Sequence, residues 1–167
     1  MVVLSELLAA NARYAAGFTK GDLPMPPGRN VAILVCMDAR IDPAKALGLE
    51  DGDAHVIRNA GGVAAEALRS LAISQELLGT REIVVIHHTD CGMLTFTNDE
   101  IRRRLTDSLG AEAAAHAADI DFLPFSDLEQ SVRDDLATIR ASPLIRPGTA
   151  VTGLVYDVKS GRVSPVE

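Results

Sequence analysis

Apolar residues occur along much of the chain in short unbroken blocks, separated by polar turns and by stretches with helical spacing. Val31 to Val35 is wholly apolar, and Glu82 to Ile86 is apolar after its first residue. Both have the length and continuity of strands buried on two faces. Ala54 to Ile57 reads as another strand between them. From Val63 to Leu78, apolar residues at 64, 67, 68, 71 and 78 keep helical spacing and Gly79 supplies a stop, which predicts a helix returning the chain to the sheet. Leu4, Leu7, Leu8, Ala10 and Tyr14 predict an amphipathic helix over Ser5 to Ala16, packed as an arm. Gly21 to Asn30 holds Pro24, Pro26, Pro27 and Gly28 and is expected to be a linker. Asp42 and Pro43 are suited to the N-cap and first turn of a short helix ending at Leu47.

In the second half, Asn98 to Leu109 reads as a polar helix, Ala111 to Phe125 as irregular or partly helical, and Asp127 to Ala141 as an amphipathic helix. Val151 to Asp157 and Arg162 to Val166, joined by Lys159-Ser160-Gly161, read as closing strands around a turn. There is no internal repeat or low-complexity tract. Strands alternating with helices predict an α/β fold: a mostly parallel central sheet flanked by helices, with an N-terminal helical arm. At 167 residues the whole of 1–167 is expected to form a single domain.

Composition narrows the function. Hydrophobic residues make up 47% of the chain, which argues against disorder, while aromatics are 4% and Trp is absent, so the core must be mostly aliphatic. The formal charge is −7 and the Arg residues are interspersed with acids, leaving no basic stripe for nucleic acid. No run approaches the roughly 20 apolar residues that span a bilayer. Met1 to Ala16 carries Glu6 and no early Lys or Arg, unlike a secretory signal, so a cytoplasmic protein is expected. One disulfide would use both cysteines of the chain, but in a reducing compartment two thiols are better candidates for metal binding or catalysis.

Those cysteines lie where chemistry is expected. Cys36 follows the first buried strand, and His88 and Cys91 follow the third. Parallel sheets bind ligands just outside the carboxyl ends of their strands. His88-x-x-Cys91 lets one turn offer two ligands, and Cys36 offers a third from the neighbouring strand. Two thiolates and an imidazole suit zinc, and three protein ligands leave a fourth position open, as catalytic zinc sites do. Taken alone, His-x-x-Cys also fits a buried free cysteine beside a hydrogen-bonded histidine. Cys36-Met37-Asp38-Ala39-Arg40 adds an acid and a base, and Arg40 would keep Asp38 ionised and oriented as an acceptor for a metal-bound water.

Cys-x-Asp-x-Arg, then Arg-Asn-Ala-Gly, then His-x-x-Cys-Gly, in that order between Val31 and Gly92, resemble the β-carbonic anhydrase family. The resemblance implies one zinc per chain held by Cys36, His88 and Cys91, with Asp38 and Arg40 as the catalytic dyad. It implies reversible hydration of carbon dioxide by a metal-bound hydroxide, zinc having lowered the pKa of water from about 15.7 to near 7. It also implies a homodimer or homotetramer with the site at the subunit interface, and in some members an aspartate that swings onto zinc. Ala39 replaces a serine common in the family. The short chain is similar to a compact microbial branch that includes carbonyl sulfide and carbon disulfide hydrolases. These are the alternative function. A non-catalytic zinc-binding protein is a further one, against which Asp38 and Arg40 argue.

Other polar residues receive plainer expectations. His87 is the alternative ligand, but adjacent strand side chains point oppositely and the motif aligns on His88. His55 and His116 are expected at the surface and Asp90 as a turn former. Arg58-Asn59-Ala60-Gly61-Gly62 is expected to be a tight turn packed close to the pocket rather than a phosphate cradle. Arg102-Arg103-Arg104, flanked by acids, reads as a solvated helix face. Cys36-x-x-x-Arg40 has the wrong spacing for a cysteine phosphatase.

Overall fold

The structure, a computed structural model, describes Val2 to Glu167; Met1, counted in the single-domain expectation, lies outside the described residues. Five strands form one sheet in the order β2-β1-β3-β4-β5: β1 Val31–Cys36, β2 Ala54–Asn59, β3 Glu82–His88, β4 Ala150–Tyr156 and β5 Val163–Val166. The first four are parallel to their neighbours, and β5 closes the edge antiparallel to β4. The helices are α1 Val2–Ala16, α2 Pro43–Leu47, α3 Ala64–Leu78, α4 Asn98–Leu109, α5 Ala111–Ala117 and α6 Leu128–Ala141. This is the α/β architecture expected from the strand–helix alternation.

The two central strands explain their own apolar continuity. On one face, Ala32 and Leu34 of β1 and Ile83 and Val85 of β3 pack against Ala64, Ala67 and Leu71 of α3 and Val132, Leu136 and Ile139 of α6. On the other, Ile33, Val35 and Ile86 meet Ile41, with Leu47 and Leu49 only partly buried. Each fully buried Leu or Ile contributes about 1.5–3 kcal/mol, so the face carrying α3 and α6 dominates the stability of the monomer.

Local signals place the helix ends. Asp42 caps α2 through the Lys45 N–H, Pro43 opens it, and Gly48 ends it in the left-handed region at φ 63°. Gly79 does the same for α3 at φ 76°. Thr97 and Glu100 form a reciprocal capping box on α4. Among the described residues no helix is long and apolar enough to cross a membrane.

Several expectations need correction. Strand β2 runs on to Asn59, so Arg58 and Asn59 are strand residues, and only Ala60–Gly62 forms the turn, which is kinked at Gly61, where φ is 84° and not helical. His55 lies within β2 and is half-buried, because Ser74 of α3 reaches its Nδ1 at 2.7 Å and in turn contacts Thr80 at 2.6 Å. Helix α1 begins earlier than Ser5 and leaves Leu4, Leu7, Leu8 and Tyr14 exposed. The mixed stretch after Gly110 resolves into α5 followed by a segment without regular structure up to α6. His116 is exposed, as expected.

Candidate metal centre

Strand register brings the candidate residues together. Val35 of β1 pairs with Ile86 of β3, so Cys36, the last residue of β1, and His88, the last of β3, emerge at the same edge of the sheet. Cys91 follows one turn later, at the start of a 3₁₀ helix over Gly92–Leu94. One donor atom from each of Cys36, His88 and Cys91 lies within 4.8 Å of the other two, and all three residues are buried. Both cysteines are free.

The donors fit a zinc ion on two observations. His88 is fully buried and donates from Nδ1 to the Thr89 carbonyl at 2.9 Å, which fixes the tautomer and leaves the Nε2 lone pair facing inward. That Nε2 is the buried side-chain polar atom left without a hydrogen-bond partner among the described residues. The thiols are the second observation. The Cys36 thiol is pushed well down, chiefly by a hydrogen bond with Cys91 and further by His88 and the backbone of Asp38 and Gly61, against the opposing effect of burial. The same contact and burial push Cys91 up. For His88, burial lowers the pKa, but the Cys36 thiolate, the Thr89 carbonyl and Asp38 raise it by more. Paired buried sulfur and an inward nitrogen lone pair form a donor set for a borderline-soft cation.

Asp38 and Arg40 lie in the loop between β1 and α2. Arg40 grips the carboxylate with Nε on Oδ1 at 2.9 Å and Nη2 on Oδ2 at 2.7 Å, and its backbone N–H adds a third bond at 2.8 Å. These bonds hold Asp38 well below the usual carboxylate range. Its Oδ2 stands 3.8 Å from His88 Nε2, so an ionised acceptor borders the cluster without belonging to it.

Residues around the cluster fix its backbone from β2 and from the following turn. Arg58 donates from Nε to the Cys36 carbonyl at 3.1 Å and from Nη2 to the Asp38 carbonyl at 2.7 Å, tying the loop to β2. Asn59 exchanges two hydrogen bonds with the Val63 backbone and so clamps the turn. Gly62, at φ 74°, lies so close that an added Cβ would fall 2.8 Å from the Cys36 nitrogen and 3.2 Å from the Ile86 carbonyl. Only glycine fits there. Asp90 adopts the left-handed conformation of a turn residue at φ 55° and also pairs with Arg40 at 2.7 Å. His87 points away: its Nδ1 meets Ser131 at 2.7 Å, its Nε2 meets Asp135 at 2.9 Å, and its ring stacks on Phe125. Met93, with the partly buried Leu94, Phe96 and Phe125, forms an apolar wall around Cys36 and Cys91.

A parallel sheet that gathers two thiols, an imidazole and an Arg-gripped carboxylate at one edge is the architecture of an α/β metalloenzyme. The chain belongs to the β-carbonic anhydrase family: the family profile for carbonic anhydrase matches residues 31–163. It is 47% identical over 167 residues to β-carbonic anhydrase 1 of Mycobacterium tuberculosis, covering 99% of each chain. The crystal structure of carbonic anhydrase from Streptococcus mutans superposes with a TM-score of 0.93 at 48% identity, covering 100% of this chain and 99% of that one. A carbon disulfide hydrolase of Acidianus is 34% identical over 171 residues, covering 90% of this chain and 82% of its own.

Proposed function

We propose that this protein hydrates carbon dioxide reversibly to bicarbonate, with one zinc ion held by Cys36, His88 and Cys91 and with Asp38 and Arg40 as its catalytic pair. The observation that carries this reading is the inward, unpartnered Nε2 of His88 between two buried thiols, with an ionised carboxylate 3.8 Å away. Zinc, when bound, supplies the charge that lowers the pKa of water from about 15.7 to near 7.

The protein's own part is orientation. Asp38, kept ionised by Arg40, has only acceptor oxygens, so it takes a hydrogen bond from the reacting water and turns an oxygen lone pair toward the carbon of the substrate. Arg40 fixes the plane of that carboxylate. Thr89 fixes the His88 ring. The wall of Met93, Phe96 and Phe125 suits an apolar gas and limits water around the reacting atoms. Full-length identity of 47% to a carbonic anhydrase, against 34% to a carbon disulfide hydrolase, favours carbon dioxide over its sulfur analogues. The test is to compare kcat/KM for carbon dioxide, carbonyl sulfide and carbon disulfide on the zinc-loaded protein. Carbon dioxide is expected to lead, and preference for either sulfur compound would overturn the assignment.

The same reading extends to assembly and compartment. The whole chain acts as one zinc domain in a homodimer or homotetramer. Helix α1 supports this: Leu7 and Leu8 are each 61% exposed, and Leu4 and Tyr14 beside them are exposed too, an apolar stripe suited to a second copy. Replacing Leu7 and Leu8 together by Asp is expected to shift the protein to a smaller species in analytical ultracentrifugation; an unchanged mass would remove α1 from the interface. Two buried cysteines kept as thiols suit the reducing cytoplasm.

A further inference from the structure

Arg40 is held from two sides, by its loop neighbour Asp38 and by Asp90, fifty positions further along the chain. Its Nε and one bond from Nη2 go to Asp38, two residues away in the same loop. Its Nη1 donates to Asp90 Oδ2 at 2.7 Å, and Nη2 also donates to the Asp90 carbonyl at 2.9 Å. Asp38 and Asp90 thus engage all three guanidinium nitrogens. Asp90 lies between His88 and Cys91, and its left-handed backbone is part of the turn that leads from one to the other.

We propose that Asp90 is a positioning residue, anchoring Arg40 to the loop after β3 so that the Asp38 carboxylate keeps a fixed orientation toward the His88–Cys91 side of the cluster. This rests on the catalytic role proposed for Asp38. The physical case lies in what Asp38 and Arg40 would do without the anchor. Both belong to one short loop, and the Arg40 side chain is 48% exposed. Without Asp90 the two side chains would hold only each other: Arg58 ties the loop backbone to β2 through the Asp38 carbonyl, which leaves the carboxylate and the guanidinium able to turn together. The bidentate grip of Asp90 ties that unit to the end of β3, a strand buried in the centre of the sheet. The gap of 3.8 Å between Asp38 Oδ2 and His88 Nε2 shows why the tie matters. A small rotation decides whether the carboxylate lies beside the cluster or leans into it. Because Asp90 belongs to the ligand loop itself, it keeps the carboxylate in register with His88 and Cys91.

The experiment uses the zinc-loaded protein and four forms: wild type, Asp90→Asn, Asp38→Asn and the double variant. Asn tolerates the left-handed conformation, so Asp90→Asn removes charge and one acceptor oxygen while sparing the turn. The expected result is unchanged zinc per chain, KM within about twofold and kcat lowered about tenfold, as for one charged hydrogen bond of about 1.4 kcal/mol. In the Asp38→Asn background the same change should cost nothing further, because Asp90 acts only through Asp38. Multiplicative losses, unchanged kcat or loss of zinc would each overturn the proposal. A second readout needs no substrate. The Arg40 Nε–H resonance in ¹⁵N NMR, assigned by its loss in Arg40→Lys, is expected to be sharp in wild type and exchange-broadened in Asp90→Asn. Equal sharpness in both would refute the anchoring. Absence of turnover in the wild type would count against the function alone, since the resonance still decides whether Asp90 holds Arg40.

Discussion

Asp38→Asn is expected to lower kcat for carbon dioxide hydration by about two to four orders of magnitude, the range for loss of a positioned proton acceptor, while zinc per chain stays unchanged. Asparagine has the same shape and can still accept from Arg40 through its one oxygen. It replaces the other oxygen with a donor amide, however, and the position nearest the cluster, now held by Oδ2 3.8 Å from His88 Nε2, can no longer be relied on as an acceptor. Because the Arg40 hydrogen bonds hold Asp38 far below the usual carboxylate range, it stays ionised above that depressed pKa, throughout neutral and mildly acidic pH. The loss in the variant should therefore be uniform from pH 6 to 9 rather than confined to one limb of the profile. Stopped-flow hydration assays and zinc analysis of the same sample measure both quantities. Unchanged turnover would remove Asp38 from the mechanism.

His88→Ala is expected to abolish both zinc retention and activity, whereas His87→Ala should retain one zinc per chain. The two histidines are neighbours in sequence and both are buried, at 0% and 1% exposure for His88 and His87. Their roles separate by strand geometry, since successive residues of β3 face opposite sides of the sheet. His88 offers a free Nε2 to the thiols, and losing it leaves two protein donors. Losing even an outer partner of a ligand typically costs 10–100-fold in metal affinity, and losing the ligand costs more. His87 instead ties β3 to α6 through Ser131 and Asp135. Its removal should appear in thermal unfolding, with a destabilisation of about 1–3 kcal/mol from the buried partners left unsatisfied. Zinc retained in His88→Ala and lost in His87→Ala would reverse the assignment.

The contrast between these histidines shows what could be read from the sequence. Period-two alternation along β3 is a local rule, so it already separated His87 from His88. Burial on both faces makes β1 and β3 continuous apolar runs, and a parallel sheet aligns their carboxyl ends, so Cys36 and His88 could be expected at one edge. Gly79, Pro43 and Asp42 mark helix ends by chemistry that acts within a few residues. Contacts set by register across the sheet left no such mark. Asp90 read as a turn former, which its φ of 55° fits, but its grip on Arg40 joins two loops fifty residues apart. Arg58 supports the Cys36 and Asp38 carbonyls from β2, and a strand residue spaced twenty or more positions away carries no local signal of that. His55 carries no local sign of its partial burial, because its partner Ser74 lies on α3, nineteen residues on.

The central claim is that a zinc ion at Cys36, His88 and Cys91 performs the hydration. It is tested most directly by adding zinc stepwise to chelator-stripped protein and following carbon dioxide hydration against bound metal. The account predicts activity that rises in proportion to zinc and levels off at one ion per chain. Protein carrying one zinc per chain with no hydration above the buffer rate would contradict it.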